Sequence, residues 1–222
     1  MVNIFPIDNK YQSTNFKALH IASAENFAHG YPVNIDIHIL RREDQKFLEK
    51  LPDAIDFKKL FPKISLEFQE RWQQVFDYCM MKAESLGLYT TYVATYKNKI
   101  CGITAYHDSC APLCIDGICT IPADINRKVP LCGQTLMYQL FRDAKKSNAN
   151  GITLDAITDG PFNAVKFYEN LGFKKDISEG IFGYVPMSCT KQKVQEQLDK
   201  FARYITFMPK EAEKTDLMQF LD

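Results

Sequence analysis

The chain has 222 residues, with 27 basic and 27 acidic side chains, so its formal net charge is zero. That balance gives no overall electrostatic reason to bind nucleic acid or an anionic membrane, and we expect neither partner. Hydrophobic residues make up 46% and charged residues 24% of the chain, an ordinary globular composition that argues against a mostly disordered protein. The seven cysteines are odd in number and lack close paired spacing, which argues against a secreted disulfide scaffold and favours a cytoplasmic protein.

No segment has the pattern of a targeting or membrane-spanning element. The first residues, 1–6, lack a basic stretch followed by a long apolar run, so we expect no secretory signal. Nowhere do about 18 apolar residues follow one another, so we also expect no transmembrane helix.

In chain order, the hydrophobic patterns predict a mixture of strands and helices. Residues 1–34 are hard to interpret beyond a short apolar face that ends at Gly30 and Pro32. Alternating or β-rich runs predict strands at 33–39, 89–96, 100–107, 112–121, 151–157, 173–175 and 184–189. Three- and four-residue spacing, helped by capping and charge signals, predicts helices at 43–52, 65–86, 133–147, 162–171 and 194–205. An antiparallel meander followed by helix-separated strands predicts an α/β fold, with a central mixed sheet flanked by helices.

The turn at residues 126–134 has the features of an anion-binding site. It opens the helix near Gly133, and the start of a helix exposes unpaired N–H groups at the positive end of the helix dipole. Glycine lets a ligand approach the backbone closely, and Arg127 and Lys128 add positive charge. Many solvated loops share these features, so the turn alone also fits an ordinary surface loop.

The segment 164–174 combines a short helix, a glycine and the start of a strand. Phe167 and Leu171 are four residues apart and should face the sheet, which puts Tyr168 at the edge of the sheet. A tyrosine hydroxyl there could donate its proton to a leaving group. The alternative is structural, since amphipathic aromatic residues are common at such borders.

Together the two segments resemble the GNAT superfamily of N-acetyltransferases. The family has an Arg/Gln-x-x-Gly-x-Gly/Ala turn that opens a helix, and a later Ala-x-x-Phe-Tyr-Glu-x-x-Gly-Phe helix. The second motif is matched by Ala164, Phe167, Tyr168, Glu169, Gly172 and Phe173. Residues 37–44, 100–104 and 120–122 agree with the family's element order. The resemblance implies a GNAT domain at 35–187, with an N-terminal extension at 1–34 and a C-terminal helical extension at 188–222.

The resemblance implies acetyl-CoA as co-substrate. The pantetheine arm would follow the strand at Ile118, Cys119 and Thr120, whose backbone N–H groups would polarise the acetyl carbonyl. The residues implied for the pyrophosphate and neighbouring contacts are Lys128, Val129, Leu131, Cys132, Gly133, Gln134 and Asn163. Tyr168 would protonate the departing CoA thiolate after direct attack by an amine in a ternary complex.

Several positions depart from the family pattern. Lys128 takes the place of the motif Arg or Gln, Leu131 replaces the first glycine, and Pro130 lacks an N–H donor. Pro161 stands where the family often has an asparagine, and Asn163 follows two positions later. These departures bear on how the turn closes around the cofactor.

The resemblance does not supply the general base. Asp116, on the strand beside the expected acetyl position, is the first candidate, and His107, Asp108 and Asp155 are alternatives. Each of them is also compatible with a solvated position at a strand end. No metal is expected, because the spacing of the nearby cysteines matches no standard zinc pattern; these are Cys110, Cys114 and Cys119.

The acceptor is expected to be a primary amine of a small molecule or a peptide. Between 100 and 126 there is no Lys or Arg but three aspartates, whereas 127–146 holds five basic residues, which favours a cationic amine. The alternative is a catalytically silent GNAT-like domain that senses acyl-CoA or binds a partner. A toxin-like enzyme acting on aminoacyl-tRNA is disfavoured by the neutral charge. The apolar-faced helix after residue 188 could pack on its own domain, cover the acceptor cleft or form a homodimer.

Overall fold

One mixed sheet with helices against both faces makes up the computed structural model. The structure describes residues 18–108, 112–123, 125, 128–158, 164–176 and 183–221, of which 211–213 are described as backbone alone. The strands within these residues are β1 (Ala18–Asn26), β2 (Val33–Ile39), β3 (Thr90–Tyr96), β4 (Lys99–Asp108), β5 (Leu113–Thr120), β6 (Gly151–Ile157), β7 (Lys174–Lys175), β8 (Tyr184–Thr190) and β9 (Ile205–Thr215). The helices are α1 (Gln45–Ala54), α2 (Phe57–Leu60), α3 (Leu66–Ala83), α4 (Cys132–Lys146), α5 (Val165–Asn170) and α6 (Lys191–Phe201), with 3-10 turns at Arg42–Asp44 and Leu217–Phe220.

The strands are ordered β7-β8-β6-β5-β4-β3-β2-β1-β9 across the sheet. Neighbouring strands run antiparallel except β5 and β6, which are parallel because α4 crosses over between them. The predicted mixed sheet flanked by helices is confirmed. None of the helices in the described ranges combines the length and the apolar character that crossing a membrane requires.

Each face of the sheet has its own apolar core. On one face, α1, α2 and α3 bury a core that includes Phe57 and Phe76 against the inward residues of β3, β4 and β5. Ser65 caps α3, as its side chain accepts a hydrogen bond from Phe68 N, which matches the predicted start of this helix. On the other face, α4 and α6 pack through residues such as Leu140 and Phe201. These two layers fix the position of β5 between them.

The strands β5 and β6 diverge after a short stretch of pairing. They pair only from Leu113–Ile115 to Ile152–Leu154, and β5 then continues to Thr120 without a partner on that side. Next to the point of divergence the register of β5 against β4 shifts, because Tyr106 pairs with Ile115 whereas Ala105 pairs with Gly117. Asp116 is therefore the extra residue of a β-bulge. A bulge bends its strand and redirects side chains, so it helps to open a wedge between β5 and β6.

The structure differs from the predictions mainly at the two ends of the chain. Residues 18–26, which were hard to interpret, form β1, whose pairing with β2 is shifted at Ile21 by an irregularity that breaks the alternation. The predicted final helix ends at Phe201, and Ile205 instead begins β9, which pairs with β1 along its length. The segment 188–222, predicted as a C-terminal helical extension, therefore contains the strand β9 as well as the helix α6. The mostly polar sequence of β9 gives no strand signal, because an edge strand does not need the alternation of buried and exposed residues that marks an inner strand.

Candidate active site

A cleft of about 1030 Å³ opens where β5 and β6 diverge. Its walls also include one side of α3, the first turn of α4 and the helix α5. The predicted site residues that line it are Asp116, Ile118, Cys119, Thr120, Lys128, Val129, Leu131, Cys132, Gly133, Gln134 and Tyr168. The fold therefore brings the two sequence motifs together around one cleft. Asn163, the remaining predicted cofactor residue, lies outside the described residues.

The first turn of α4 presents free backbone N–H groups at the cleft. No side chain caps this helix. The N–H of Thr135 donates to the carbonyl of Leu131 at 2.9 Å, so the residues before Thr135 have no carbonyl of the helix to bind. These residues are Cys132, Gly133 and Gln134, all of which line the cleft. Free N–H groups and the positive end of the helix dipole together attract an anionic group such as a phosphate.

Two positions of this turn, Leu131 and Gly133, differ in what a side chain costs the fold. Leu131 has a left-handed backbone with φ of 65°, which costs a residue with a Cβ roughly 1–2 kcal/mol. The first glycine of the family motif falls at this position. A Cβ at Gly133 would lie 3.5 Å from Phe167 Cζ and 3.6 Å from Thr120 Cγ2, which is ordinary contact. The fold thus tolerates a small side chain at Gly133, although any side chain there narrows the cleft beside the free N–H groups.

The ammonium group of Lys128 contacts an aromatic ring of α3. Its ammonium lies 4.3 Å from the ring centroid of Trp72, and burial lowers the pKa of this lysine. The indole Nε1 of Trp72 also donates to the Thr120 carbonyl at 2.8 Å. Trp72 therefore ties both the turn before α4 and the end of β5 to α3. The sequence predicted Lys128 as a cofactor residue but gave no sign of this contact, which joins positions far apart in the chain.

Tyr168 lies on α5, and its side chain belongs to the apolar core on the α4 and α6 face of the sheet. The residue is 7% exposed, and its ring packs edge-on against Phe167 and Phe173. Burial, with a further contribution from Cys79, raises the pKa of Tyr168 well above its ordinary value. The hydroxyl is therefore protonated at neutral pH. Since Tyr168 lines the cleft, this proton can be offered to a bound ligand.

Asp116, at the bulge of β5, is the centre of a polar cluster at the cleft wall. Its Oδ2 lies 2.5 Å from Nδ1 of His107, and its Oδ1 lies 3.6 Å from Nζ of Lys82. The Asp116 side chain is 12% exposed and that of His107 is 35% exposed. Two predicted base candidates thus form one hydrogen-bonded pair, in which the aspartate faces the cleft.

Lys82 supplies the positive charge of this cluster. Burial acts to lower the pKa of Lys82, but its hydrogen bond to the Tyr89 hydroxyl at 3.4 Å and the neighbouring Asp116 carboxylate raise that pKa overall. The ammonium also lies 5.4 Å from the Tyr78 ring centroid and 5.3 Å from that of Tyr89. Lys82 therefore stays cationic and partly neutralises Asp116.

The remaining base candidates lie further out. Asp108, at the end of β4, is exposed and does not line the cleft, whereas Asp155 on β6 is exposed and does. Asp176, Tyr78 and Tyr184 line the cleft as well, although the sequence analysis singled out none of them. The cleft wall thus also carries two carboxylates and two tyrosine rings that already have a cation over them, Arg71 over Tyr184 at 5.6 Å and Lys82 over Tyr78 at 5.4 Å. Tyr78 lies on α3, and the helical pattern of α3 does not indicate that the exposed side of this residue lines a cleft.

Comparison with known proteins supports this architecture. No protein-family model matches the sequence, and no curated protein matches it. Among solved structures, apo FdhC, described as a nucleotide-linked sugar GNAT, is 13% identical and aligns over 86% of this chain and 99% of its own, with a TM-score of 0.53.

Two further solved structures resemble the chain less closely. The PaiA N-acetyltransferase of Thermoplasma acidophilum, in complex with coenzyme A, is 18% identical over 70% of this chain and 98% of its own, with a TM-score of 0.47. The ribosomal-protein-S18-alanine N-acetyltransferase of Escherichia coli is 13% identical over 70% of this chain and 93% of its own, with a TM-score of 0.46. The similarity to FdhC, the divergent parallel strands and the cleft between those strands show that the chain has the GNAT fold that its two motifs predict.

Proposed function

We propose that the protein is an acetyl-CoA-dependent N-acetyltransferase that transfers the acetyl group directly to a primary amine. The observation that carries this proposal is the meeting, in one cleft, of the free N–H groups of α4, the unpaired side of β5 and the Tyr168 hydroxyl. The α4 groups suit the CoA pyrophosphate, and the side of β5 at residues 118–120 that faces away from β4 suits the pantetheine arm. The PaiA structure with bound coenzyme A is consistent with this assignment of the co-substrate.

The residues at the cleft suggest how the proton transfers are divided. Asp116, supported by His107, accepts the proton of the amine as its nitrogen forms a bond to the acetyl carbon. Tyr168 gives its proton to the thiolate as the bond between carbon and sulfur breaks. Because both groups lie on one cleft, amine and thioester can be held together, and no acetylated form of the protein is required.

The acceptor we propose is a cationic amine. Asp155 and Asp176 are exposed and line the same cleft as Asp116. Carboxylates that line a cleft favour a positively charged ligand. Polyamines and lysine-containing peptides should therefore be better acceptors than amines that carry a carboxylate.

The experiment combines binding and turnover. Acetyl-CoA is titrated into the purified chain by calorimetry, and thiol release is then followed with a panel of cationic, neutral and acidic amines. We expect saturable acetyl-CoA binding and thiol release that depends on a cationic acceptor. The proposal fails if acetyl-CoA does not bind and thiol release stays at the buffer level with every amine.

A second candidate function is acyl-CoA sensing without transfer. Two observations favour it: Leu131 occupies the position of the motif glycine, and the Lys128 ammonium is engaged with Trp72. Tight acetyl-CoA binding with no turnover across the whole amine panel would select this candidate. Turnover with any amine at a rate that depends on Tyr168 would select the enzyme.

A further inference from the structure

A histidine, a cysteine and an aspartate meet beside the bulge of β5. His107 on β4 and Cys114 on β5 are direct cross-strand partners, and Asp116 follows two residues later on β5. One donor atom from each residue lies within 4.8 Å of the other two, and all three residues are half-buried. The pairing of β4 with β5 assembles this group, so the spacing of cysteines along the sequence could not predict it.

The three donors are of the types that zinc prefers. Imidazole nitrogen, thiolate sulfur and carboxylate oxygen are its usual protein ligands, and three of them leave one position of a tetrahedron open. A Zn²⁺ ion about 2.0–2.3 Å from each donor spaces the donors by roughly 3–4 Å. Small side-chain rotations bring the donors, which now lie within 4.8 Å of one another, to that spacing, and the ion takes the place of the hydrogen bond between His107 and Asp116.

The neighbouring residues orient this group and leave it accessible. The Lys82 ammonium faces Oδ1 of Asp116, whereas His107 faces Oδ2, so the carboxylate is held from its far side. The Tyr89 ring packs edge-on against His107 with centroids 5.7 Å apart. Supporting contacts of this kind fix ligand geometry in metal sites. Cys114 and Asp116 both line the cleft, which gives an ion a path from solvent.

We propose that His107, Cys114 and Asp116 bind Zn²⁺ or a similar thiophilic divalent cation, and that the bound ion blocks acetyl transfer. Binding replaces the thiol proton of Cys114, which is released to the buffer. The metal binding does not depend on the proposed function. The block rests on the proposed function, because the ion then occupies the carboxylate that accepts the proton of the amine.

Cobalt titration of the full chain, without acetyl-CoA, tests the binding. We expect a near-ultraviolet thiolate-to-Co²⁺ charge-transfer band that saturates and that Zn²⁺ abolishes. Cys114→Ser should remove the band, whereas Cys189→Ser, which changes a buried thiol on β8, should keep it. His107→Ala should weaken Co²⁺ binding by at least the roughly 10–100-fold that supporting residues control in metal sites.

Alkylation of the unmutated chain keeps the test independent of whether Cys114→Ser folds. Zn²⁺ should protect Cys114 from iodoacetamide, as measured by peptide mass spectrometry, and EDTA should restore the reaction. The proposal is overturned if Zn²⁺ leaves Cys114 labelling unchanged, or if a folded Cys114→Ser variant keeps the cobalt band. Metal binding in a chain that transfers no acetyl group would refute the proposed function and leave the metal site standing.

Discussion

Tyr168 is the residue on which the proposed chemistry can be tested most directly. Tyr168→Phe removes the hydroxyl but keeps the ring that packs against Phe167 and Phe173. Loss of a general acid lowers turnover by about 100-fold or more. Acetyl-CoA affinity should stay nearly intact, because the cofactor contacts proposed above are to backbone groups elsewhere. Thiol release measures turnover and calorimetry measures acetyl-CoA affinity, so the two quantities are obtained separately.

A second tyrosine provides the control for this substitution. Tyr138 on α4 is 8% exposed and packs against Phe201 and Phe207, away from the cleft. Tyr138→Phe should leave turnover unchanged. If Tyr168→Phe reduces turnover and affinity by equal factors, the residue has a structural role and the proposed proton donor is wrong.

Asp143 is a carboxyl group enclosed by hydrogen-bond donors away from the cleft. The hydroxyls of Tyr92 and Tyr106 donate to its Oδ2 at 2.7 and 3.1 Å, and Gln139 donates to its Oδ1 at 2.9 Å. Burial raises the pKa of Asp143, and these hydrogen bonds only partly offset that rise. The folded protein therefore holds the Asp143 proton more tightly than the unfolded chain does.

Because folding raises the pKa of Asp143, the contribution of this residue to the free energy of unfolding depends on pH. A carboxyl group whose pKa is raised by folding stabilises the fold below its ordinary pKa of 3.8 and loses that contribution as pH rises through the raised value. Asp143→Asn removes this titration. The free energy of unfolding of the unmutated chain, relative to Asp143→Asn, should therefore fall as the pH is raised from about 4 toward 7. Urea unfolding at a series of pH values measures the difference.

An exposed acid serves as the control for this pH dependence. Asp53 lies on α1 and is exposed, so the profile of Asp53→Asn over the same range is the reference for the same substitution at a site that is not buried. A flat profile for Asp143→Asn would mean that folding does not change the protonation of Asp143.

At the scale of elements, the sequence predicts those helices and strands whose apolar residues recur at a regular spacing. The helix α3 and the strand β6 were predicted within a few residues, because each buries one face at a regular spacing. The strands β1 and β9, at one end of the sheet, are not predicted, since β1 is irregular at Ile21 and β9 carries little apolar alternation. Their pairing joins positions nearly 200 residues apart by the numbering, and no local window contains that information.

The same reasoning explains what was predictable of the candidate site. The turn before α4 and the helix α5 were found because each is a contiguous motif. The pairing of His107 with Asp116 depends on the bulge of β5, and the link of Lys128 to Trp72 depends on how α3 packs. Contacts between elements are set by register and packing, so sequence patterns indicated the residues but not their partners.

The first turn of α4 offers a test at this scale. Gly133→Val places a branched side chain beside the free N–H groups that should bind the pyrophosphate, whereas Gly133→Ala adds only a Cβ at ordinary contact distance. Losing hydrogen bonds to a charged group costs about 1.5–3 kcal/mol each, or roughly 10- to 150-fold in affinity. We expect Gly133→Val to weaken acetyl-CoA binding by this amount and Gly133→Ala to weaken it much less.

The single tryptophan makes this test convenient. Trp72 is the chain's one tryptophan and lines the cleft, so its fluorescence should report acetyl-CoA binding. Thermal unfolding of both variants checks that α4 still forms. Equal acetyl-CoA affinity in the unmutated chain and in folded Gly133→Val would place the phosphates away from this turn.

At the scale of the whole molecule, the segments outside the predicted domain are joined to its sheet. The strand β9 pairs with β1, and β1 pairs with β2, so both flanking segments extend the same sheet. Leu217, beyond β9, is 2% exposed and packs into the core beneath α1, α2 and α3. The ring of Phe220 lies 6.3 Å from that of His38. We therefore propose that the sheet, its helices and the segments that flank the family core unfold as one cooperative unit.

Leu217→Ala tests this cooperativity. Truncating a buried leucine costs about 2–5 kcal/mol, and the loss appears in the global transition only if the residue belongs to the global unit. In urea unfolding followed by circular dichroism, the midpoint should fall in a single transition whose slope is unchanged. The exposed neighbour Gln219 supplies the matched control, because Gln219→Ala removes no buried surface and should leave the midpoint in place. A separate early transition in Leu217→Ala, with the main midpoint unmoved, would show that the C-terminal segment is an appendage that the GNAT core does not need.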